Sequence, residues 1–564
     1  MPLCFHKNSV VASASRGLTV LAAVATSALA QTPPDAGRIL QETRPPERPP
    51  AATMAPIQAP PARTPSTTAG TGDTHVEVSR FEFSGNRALS TETLNATVAP
   101  WSGRSLNFGD LIQAVEAVEA RYKAAGYFLA QGYLPPQKIK DGVIEIAISE
   151  GLLGETRLEG ESRVSADVLF RYLDRLPKGE ALTLAAVERQ VLLINELAGG
   201  RASLDLQAGE APGSTDIVLT QQSEPLISTR LDANNHGSPS TGTNRLGLSV
   251  TANSPFNLGE RLSANVLLTN TGNLTSYNLR GELPVGGAGW RLSAAASRAT
   301  YSLGGDFANL EASGTADSLR LGAAYPLLRS RTRNLKLQIE ADKSKLADHF
   351  GASSTDLDKQ SQGLTASLSA DWLDDWLGGG TTRIDLAVRS AQLDLGATSA
   401  LFDAPPTGPD TAGHFSKTNF SAQRQQTLSQ NLSLQLQFTW QLAGKNLDSS
   451  EKLSLGGPTT LPGYANGEAS GDSGTLVKLA LRWQARPDLA LGVFADHGKL
   501  QLARDPLPSA THNDKRMSDV GLSADWLINK DFSASALLAW AGSEAPNPAD
   551  NAKPRVWLNL SYGW

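Results

Sequence analysis

Few residues of this chain suggest catalysis. Gly471-Asp472-Ser473-Gly474 spells a tetrapeptide found around the nucleophile of some serine proteases. A serine nucleophile also needs a positioned histidine and an orienting carboxylate, which four letters cannot supply. None of the seven histidines forms an HExxH pair, and no phosphate-binding GxxxxGK[ST] segment occurs. The sequence therefore predicts no enzyme activity, no catalytic residue, no metal site and no cofactor.

The composition also limits the classes of function. The 564 residues carry a formal net charge of -6 and only 19% are charged. A negative net charge gives no electrostatic support for nucleic-acid binding. Glycine is frequent, with 51 residues, and a chain poor in charge but rich in small residues fits strands that face lipid on one side and water on the other.

Residues 1–30 have the features of a secretory signal peptide. Lys7 and Arg16 supply positive charge, residues 18–25 are apolar, and Ala28-Leu29-Ala30 is a small-x-small cleavage site. The alternative, an uncleaved membrane anchor, is disfavoured because the apolar stretch is short. Cys4, the only cysteine, is removed with this segment, so the mature chain has neither disulfides nor a cysteine metal site.

Residues 31–74 form a segment rich in Pro, Ala and Thr. Only Asp35 to Glu42 has helix-forming residues before Pro45 and Pro46 end the helix. We expect the rest of the segment to be an extended linker.

Two consecutive segments share one order of predicted elements, which makes them an internal repeat. In residues 75–151 one strand precedes two helices and two strands, and the clearest helix begins after Asn107, with Asp110 three residues later. Residues 152–222 repeat this order. Such α/β modules are either spacers or, through their open sheet edges, binding sites for an extended polypeptide. We expect the binding role, because a spacer does not require a repeated sheet edge.

Residues 223–564 read as one series of short strands with alternating apolar and polar side chains. In lipid every backbone polar group must be paired within the protein, so only helices and closed barrels span a membrane. Turn-bounded segments number sixteen, an even number as in bacterial single-chain barrels. The sequence therefore predicts a membrane β-barrel of 16 antiparallel strands after two small α/β domains. A soluble β-sandwich has similar alternation, but sixteen strands behind a signal peptide favour the barrel.

Three motifs in the barrel region resemble those of one transporter family. The first, in a long loop at about residues 445–473, comprises Gly456, Gly457, Pro458, Leu461, Pro462, Gly463, Tyr464, Gly467, Glu468, Gly471 and Asp472. The second, on the thirteenth predicted strand, comprises Phe494, Asp496 and Gly498. The third, at the end of the last strand, comprises Leu558, Leu560, Tyr562 and Trp564. With these motifs the chain resembles the outer-membrane transporters of two-partner secretion, the hemolysin-activator family within the Omp85 superfamily.

The resemblance implies a role for each region. The long loop folds back into the barrel lumen, where the second motif, on the barrel wall, receives its tip. The modules at residues 75–222 correspond to paired POTRA domains in the periplasm. The aromatic end of the last strand is the signal that the barrel-assembly machinery reads, and the outer-membrane lipid surrounds the barrel.

Two residues depart from the family pattern. The family's loop tip usually carries an arginine at the position of Pro462, where it pairs with the wall aspartate, and related sequences often have glutamate at the position of Ala480. Proline cannot replace a charge-assisted bidentate contact. We therefore expect Tyr464 packing and backbone hydrogen bonds to fix the loop, and Asp496 to be unpaired or solvated in the lumen.

The resemblance also implies a function, that of a passive conduit for a large secreted exoprotein with an N-terminal secretion domain. In the family a longer N-terminal helix plugs the pore, and the prolines after Glu42 predict a weaker plug here. The main alternative is an insertion factor of the same superfamily, which usually has more than two modules. A diffusion porin is a further alternative, although porins lack periplasmic modules.

Overall fold

A computed structural model describes residues 33–45, 75–211, 213–542 and 554–564. The predicted signal peptide and most of the predicted linker lie outside these residues. Within the described ranges, no helix is long and apolar enough to cross a bilayer.

Two α/β units precede the barrel, and a separate short helix precedes both. In chain order the elements are α1 (Ala36–Thr43), β1 (Val76–Val78), β2 (Arg80–Ser84), α2 (Thr91–Val98), β3 (Arg104–Leu106), α3 (Phe108–Ala124), β4 (Gln131–Tyr133), β5 (Val143–Ser149), β6 (Leu152–Gly160), α4 (Ala166–Leu173), α5 (Leu184–Asn195), β7 (Gly200–Ala208) and β8 (Ser214–Ser223).

The first α/β unit packs α2 and α3 on a three-stranded sheet of order β2-β5-β4. Helix α3 begins with a capping box, because Asn107 accepts from the N–H of Asp110 at 2.9 Å and Asp110 accepts from the N–H of Asn107 at 3.0 Å. It ends before Gly126, whose φ of +94° suits a residue without a side chain. The short pair β1–β3 is an addition to the order predicted from the sequence.

The second unit repeats the arrangement with a sheet of order β6-β8-β7 and helices α4 and α5. A buried carboxylate stabilises the end of the first unit. Glu150, at 4% exposure, accepts from the Tyr122 hydroxyl at 2.8 Å and from the N–H groups of Arg87 and Ala88 at 2.7 and 2.8 Å. Burial and the neighbouring Glu150 carboxylate raise the pKa of Tyr122. The units meet elsewhere, where the N–H of Leu184 donates to the carbonyl of Gly126 at 3.0 Å and Leu129 packs against the core of the second unit.

Sixteen antiparallel strands close into a barrel, which confirms the predicted fold. They are β9 (Ile227–Asn234), β10 (Arg245–Asn253), β11 (Arg261–Thr269), β12 (Leu274–Val285), β13 (Trp290–Ser302), β14 (Ala312–Arg329), β15 (Arg333–Phe350), β16 (Thr355–Asp374), β17 (Gly380–Leu395), β18 (Gly413–Ser429), β19 (Leu432–Ala443), β22 (Ser473–Arg486), β23 (Leu489–Gln501), β24 (Asp514–Leu527), β25 (Phe532–Ala541) and β26 (Arg555–Gly563). A helix α6 (Ala397–Asp403) lies between β17 and β18, and a hairpin of β20 (Leu453–Leu455) and β21 (Ala469–Gly471) between β19 and β22.

The barrel end next to the α/β units, here called the unit end, carries the docking contacts of the second unit. Glu196, which follows α5, pairs with Arg291 at 3.1 Å and with Arg329 at 2.6 Å. Arg189 of α5 donates to the carbonyl of Pro326 at 2.8 Å. These contacts place α5 against the turns that end β12 and β14, so the second unit is fixed beneath one side of the barrel.

Candidate functional site: the occupied barrel lumen

Residues 444–472, the lumen loop, join β19 and β22 at the barrel end opposite the units, the far end. Asp472 fixes the base of this loop and is 0% exposed. Its carboxylate accepts from the N–H of Leu447 at 3.1 Å and of Arg504 at 2.8 Å, and it pairs with Lys452 at 2.8 Å. This residue therefore organises the loop and its neighbouring segment.

The tip of the lumen loop, residues 456–468, packs on the inner wall. Leu461 and Tyr464 are 0% and 1% exposed, and they form one apolar cluster with Leu455, Leu476, Leu500 and Met517. On the wall, a Cβ added to Gly498 would lie 2.4 Å from Cδ1 of Leu455. A side chain at this wall position would therefore displace Leu455 from its place in the cluster.

Polar contacts of the tip use its backbone and a few side chains, among them Tyr464. The N–H of Gly463 donates to Asp519 Oδ2 at 2.6 Å, and the Tyr464 hydroxyl donates to the carbonyl of Ser518 at 2.9 Å. Both acceptors lie on β24, the strand beside the predicted wall motif. Packing and backbone hydrogen bonds therefore fix the tip, and Pro462 takes part in no ion pair.

The wall acid Asp496 lies in a buried row of charges across three strands. Its register partners are Lys478 on β22 and Asp519 on β24. Asp496 is 4% exposed, Lys478 Nζ lies 3.7 Å from its Oδ2, and neither carboxylate oxygen has a hydrogen-bond partner among the described residues. Lys478 also donates to the carbonyl of Thr459 in the loop tip at 2.9 Å. The expectation of a solvated Asp496 is therefore wrong, whereas the expected lack of a close partner is met in part, because within the described part of the chain the carboxylate accepts no hydrogen bond and has only Lys478 as a nearby cation.

The loop tip also joins the two strands that close the barrel. These strands, β26 and β9, share only five residue pairs. Trp557 of β26 donates from Nε1 to the carbonyl of Pro462 at 2.7 Å, and its ring meets His236, just after β9, edge-on at 5.9 Å. Asn466 donates from its side-chain amide to the His236 carbonyl. The tip therefore contacts both sides of the closing seam.

Helix α1 lies inside the barrel between the lumen loop and the wall formed by β13, β14 and β15. Ile39 is 1% exposed and packs with Tyr301 and Leu346 of the wall. The N–H of Ala36 donates to Asp348 Oδ1 at 2.7 Å. The sequence predicts a short helix and a weak plug. The helix is short, but the expectation of a weak plug is corrected, because the helix is packed within the lumen.

One lysine connects α1, the lumen loop and the wall. Lys359 of β16 lies 3.2 Å from Asp35, the N-cap of α1, and 2.7 Å from Asp448 of the lumen loop. The Ser449 hydroxyl donates to Asp35 at 2.6 Å. Burial acts to raise the pKa of Asp448, and the Lys359 ammonium and two hydrogen bonds from Ser450 outweigh it, so that this pKa is lowered. The network keeps both lumen segments against the wall.

Two other predicted features, the protease-like tetrapeptide and the aromatic end of the last strand, lie away from this network. Ser473 Oγ accepts from the N–H of Ala443 at 3.0 Å, which is a contact of the loop base. Leu558, Leu560, Tyr562 and Trp564 all face outward, and the last two rings stack at 5.3 Å. Their role as an assembly signal stays a prediction. No group of three His, Cys, Asp or Glu suits a metal ion in the described ranges.

The sequence matches a family model described as haemolysin secretion/activation protein ShlB/FhaC/HecB over residues 213–509. The chain belongs to this family. Residues 76–151 match the ShlB-type POTRA domain. The predicted resemblance to two-partner secretion transporters of the Omp85 superfamily is thereby confirmed, and this is a family of transporters and not of enzymes.

Individual relatives extend the match over most of the chain. The heme/hemopexin transporter protein HuxB of Haemophilus influenzae (strain 86-028NP) is 24% identical over 483 residues, 84% of each chain. The outer membrane transporter CdiB of Escherichia coli O6:K15:H31 is 25% identical and covers 74% of this chain and 71% of its own. The solved structure of CdiB from Escherichia coli has the same fold, with a TM-score of 0.70 at 20% identity and full coverage of both chains.

Four residues of this family member's lumen escaped the sequence analysis, namely Lys359, Lys478, Asp519 and Trp557. All four occupy inward positions on strands whose side chains alternate between the two faces of the barrel wall. The signal that could have found them is this alternation itself, because a lysine, aspartate or tryptophan turned toward the lumen needs a partner there.

Proposed function

We propose that this chain is an outer-membrane conduit through which a large partner exoprotein passes from the periplasm to the cell surface. The observation that carries the proposal is that two separable segments, α1 and the lumen loop, fill a barrel large enough to enclose an aqueous lumen. A diffusion porin works with an open pore and needs no pair of segments that fill it. A channel for an unfolded chain, in contrast, must be shut between transport events.

The attachment of α1 supports its release. Residues 46–74 connect this helix to the first α/β unit, and 29 residues in extended form reach at most ~100 Å. The helix can therefore leave through the unit end without unfolding the units. The lumen loop is anchored at the far end, so it moves independently.

The two α/β units are the proposed receptor for the exoprotein's N-terminal secretion domain. Strands β4 and β7 lie at sheet edges, where an extended segment can pair by strand addition. Tyr133 on β4 is 47% exposed and the nearby Ile139 is 43% exposed, so an apolar surface adjoins that edge. The barrel-assembly machinery and the surrounding outer-membrane lipid are the other partners that we propose.

A comparison of culture supernatants and outer membranes tests the function. Cells without this gene should lose one large secreted protein, and the wild-type gene should restore it. Depletion of many outer-membrane proteins would instead support the alternative of an insertion factor. Loss of small-solute uptake with normal secretion would support a porin and overturn the proposal.

A further inference from the structure

A groove on the outer surface of the barrel, far from the lumen, collects positive charge. It lies across β12 to β15, and its lining includes Tyr277, Leu279, Arg298, Asp317, Lys343 and Lys345. The three cationic side chains all point outward and are exposed. We call this surface the basic groove.

The basic groove adjoins the lipid-facing apolar side chains. Lys343 of β15 lies opposite Leu319 of β14, which is 53% exposed. Toward the unit end of β15 the preceding outward residues are Ile339 and Ala341, and toward the far end the next is Lys345. The cations therefore stand where the apolar band ends on the far side of the barrel, at the height where lipid headgroups begin.

The charges of the basic groove are not balanced within the protein. Arg298 lies 3.6 Å from Asp317, and Asp317 is also the register partner of Lys345. In the part of the chain that the structure describes, neither Lys343 nor Lys345 forms an ion pair. Three cations and one carboxylate leave two positive charges beside lipid, where an anionic headgroup is the natural partner.

We propose that the basic groove binds the phosphate groups of an anionic glycolipid of the outer leaflet. Lys343 and Lys345 contact phosphate, while Tyr277, Leu279 and Leu319 contact the acyl chains. A lipid fits better than a free phosphate ion, because the cations adjoin exposed apolar side chains that an inorganic ion would not use. The inference rests on the proposed outer-membrane location and is independent of the identity of the exoprotein.

Binding of diphosphoryl lipid A to the full mature protein in detergent, followed by native mass spectrometry, tests this site. The variant K343Q/K345Q should bind ~30-fold more weakly than wild type, as expected for two cations near a phosphate. The control K178Q/K530Q removes the same charge from an exposed position of the second unit and from the β24–β25 turn at the unit end, and it should bind as wild type does. Heat-modifiable migration on gels verifies that each variant retains a folded barrel.

Equal affinity of wild type and K343Q/K345Q for diphosphoryl lipid A would overturn the proposal. Equal binding of dephosphorylated lipid A, or displacement by millimolar inorganic phosphate, would also overturn it and indicate acyl contacts alone or a free-ion site. Exoprotein secretion is measured separately in the same strains. A failed lipid assay with intact secretion therefore refutes only the groove, whereas secretion that does not depend on the gene refutes the conduit.

Discussion

The two segments that fill the lumen are attached to the barrel in different ways. The lumen loop buries Leu461 and Tyr464 in an apolar cluster on the wall, whereas α1 buries Ala36 and Ile39 in another wall cluster, packs Leu40 against that cluster, and adds several polar contacts. Exposing apolar surface to water is costly, while water replaces broken polar contacts in an opened lumen at small net cost. We therefore infer that α1 is the removable closure and that the lumen loop braces the wall.

The largest effect is expected when the two segments are linked covalently, which tests whether α1 leaves while the lumen loop stays. A Cβ built at Gly37 lies 3.1 Å from the Cβ of Ser450 and 2.7 Å from its backbone nitrogen, so the two segments must move apart slightly to reach the ~3.5–4.5 Å separation of a disulfide. In the proposed mechanism α1 leaves through the unit end while the loop stays anchored at the far end, so oxidised G37C/S450C should abolish exoprotein secretion, and a reductant should restore it. Each single-cysteine variant is the control. Undiminished secretion by the cross-linked protein would show that the segments need not separate.

Shortening the buried tyrosine of the loop tip should weaken the brace. Y464A should lower the stability of the folded barrel by about 3–5 kcal/mol, measured as the temperature at which the compact gel band is lost. Y464F keeps the ring and loses the hydrogen bonds of the hydroxyl, which donates to the Ser518 carbonyl and accepts from the Ser518 N–H at 3.4 Å, at a cost of about 1 kcal/mol. Equal losses in the two variants would contradict a brace built on packing.

Removing the cation that α1 and the lumen loop share should release the helix. In K359Q the carboxylates of Asp35 and Asp448 lose their partner, at a cost of about 3 kcal/mol to helix docking. Single-channel conductance in planar bilayers should rise well above that of wild type, with little change in barrel stability. K530Q, an exposed lysine variant at the unit end, is the matched control. A closed K359Q channel would refute the polar tether.

The smallest expected effect concerns the closing seam. W557F leaves the Pro462 carbonyl without its donor, which should cost about 1–2 kcal/mol of barrel stability. W540F, on the outer face of β25, is a tryptophan control that should have almost no effect in the same heat-modifiability assay. A seam that is independent of the loop tip would give equal transition temperatures for both variants.

Much of the fold could be predicted because local rules decided it. Alternation put Leu558, Leu560 and Tyr562 on one face of the last strand, and in the structure that face is the outer one. The capping residues Asn107 and Asp110 located the start of α3 to the residue. In the site, Asp496 and Gly498 of the predicted wall motif share the inward face of β23.

What the sequence by itself determined was the order of strands, the face of each side chain and the two repeated units, since these depend on neighbours along the chain. The partners in the lumen were decided only by tertiary structure. The N–H of Ala36 donates to Asp348, 312 positions away, and the N–H of Gly463 in the lumen loop donates to Asp519 on β24. Such pairs depend on closure of the whole barrel and on the path of two segments through it, and no local periodicity encodes either.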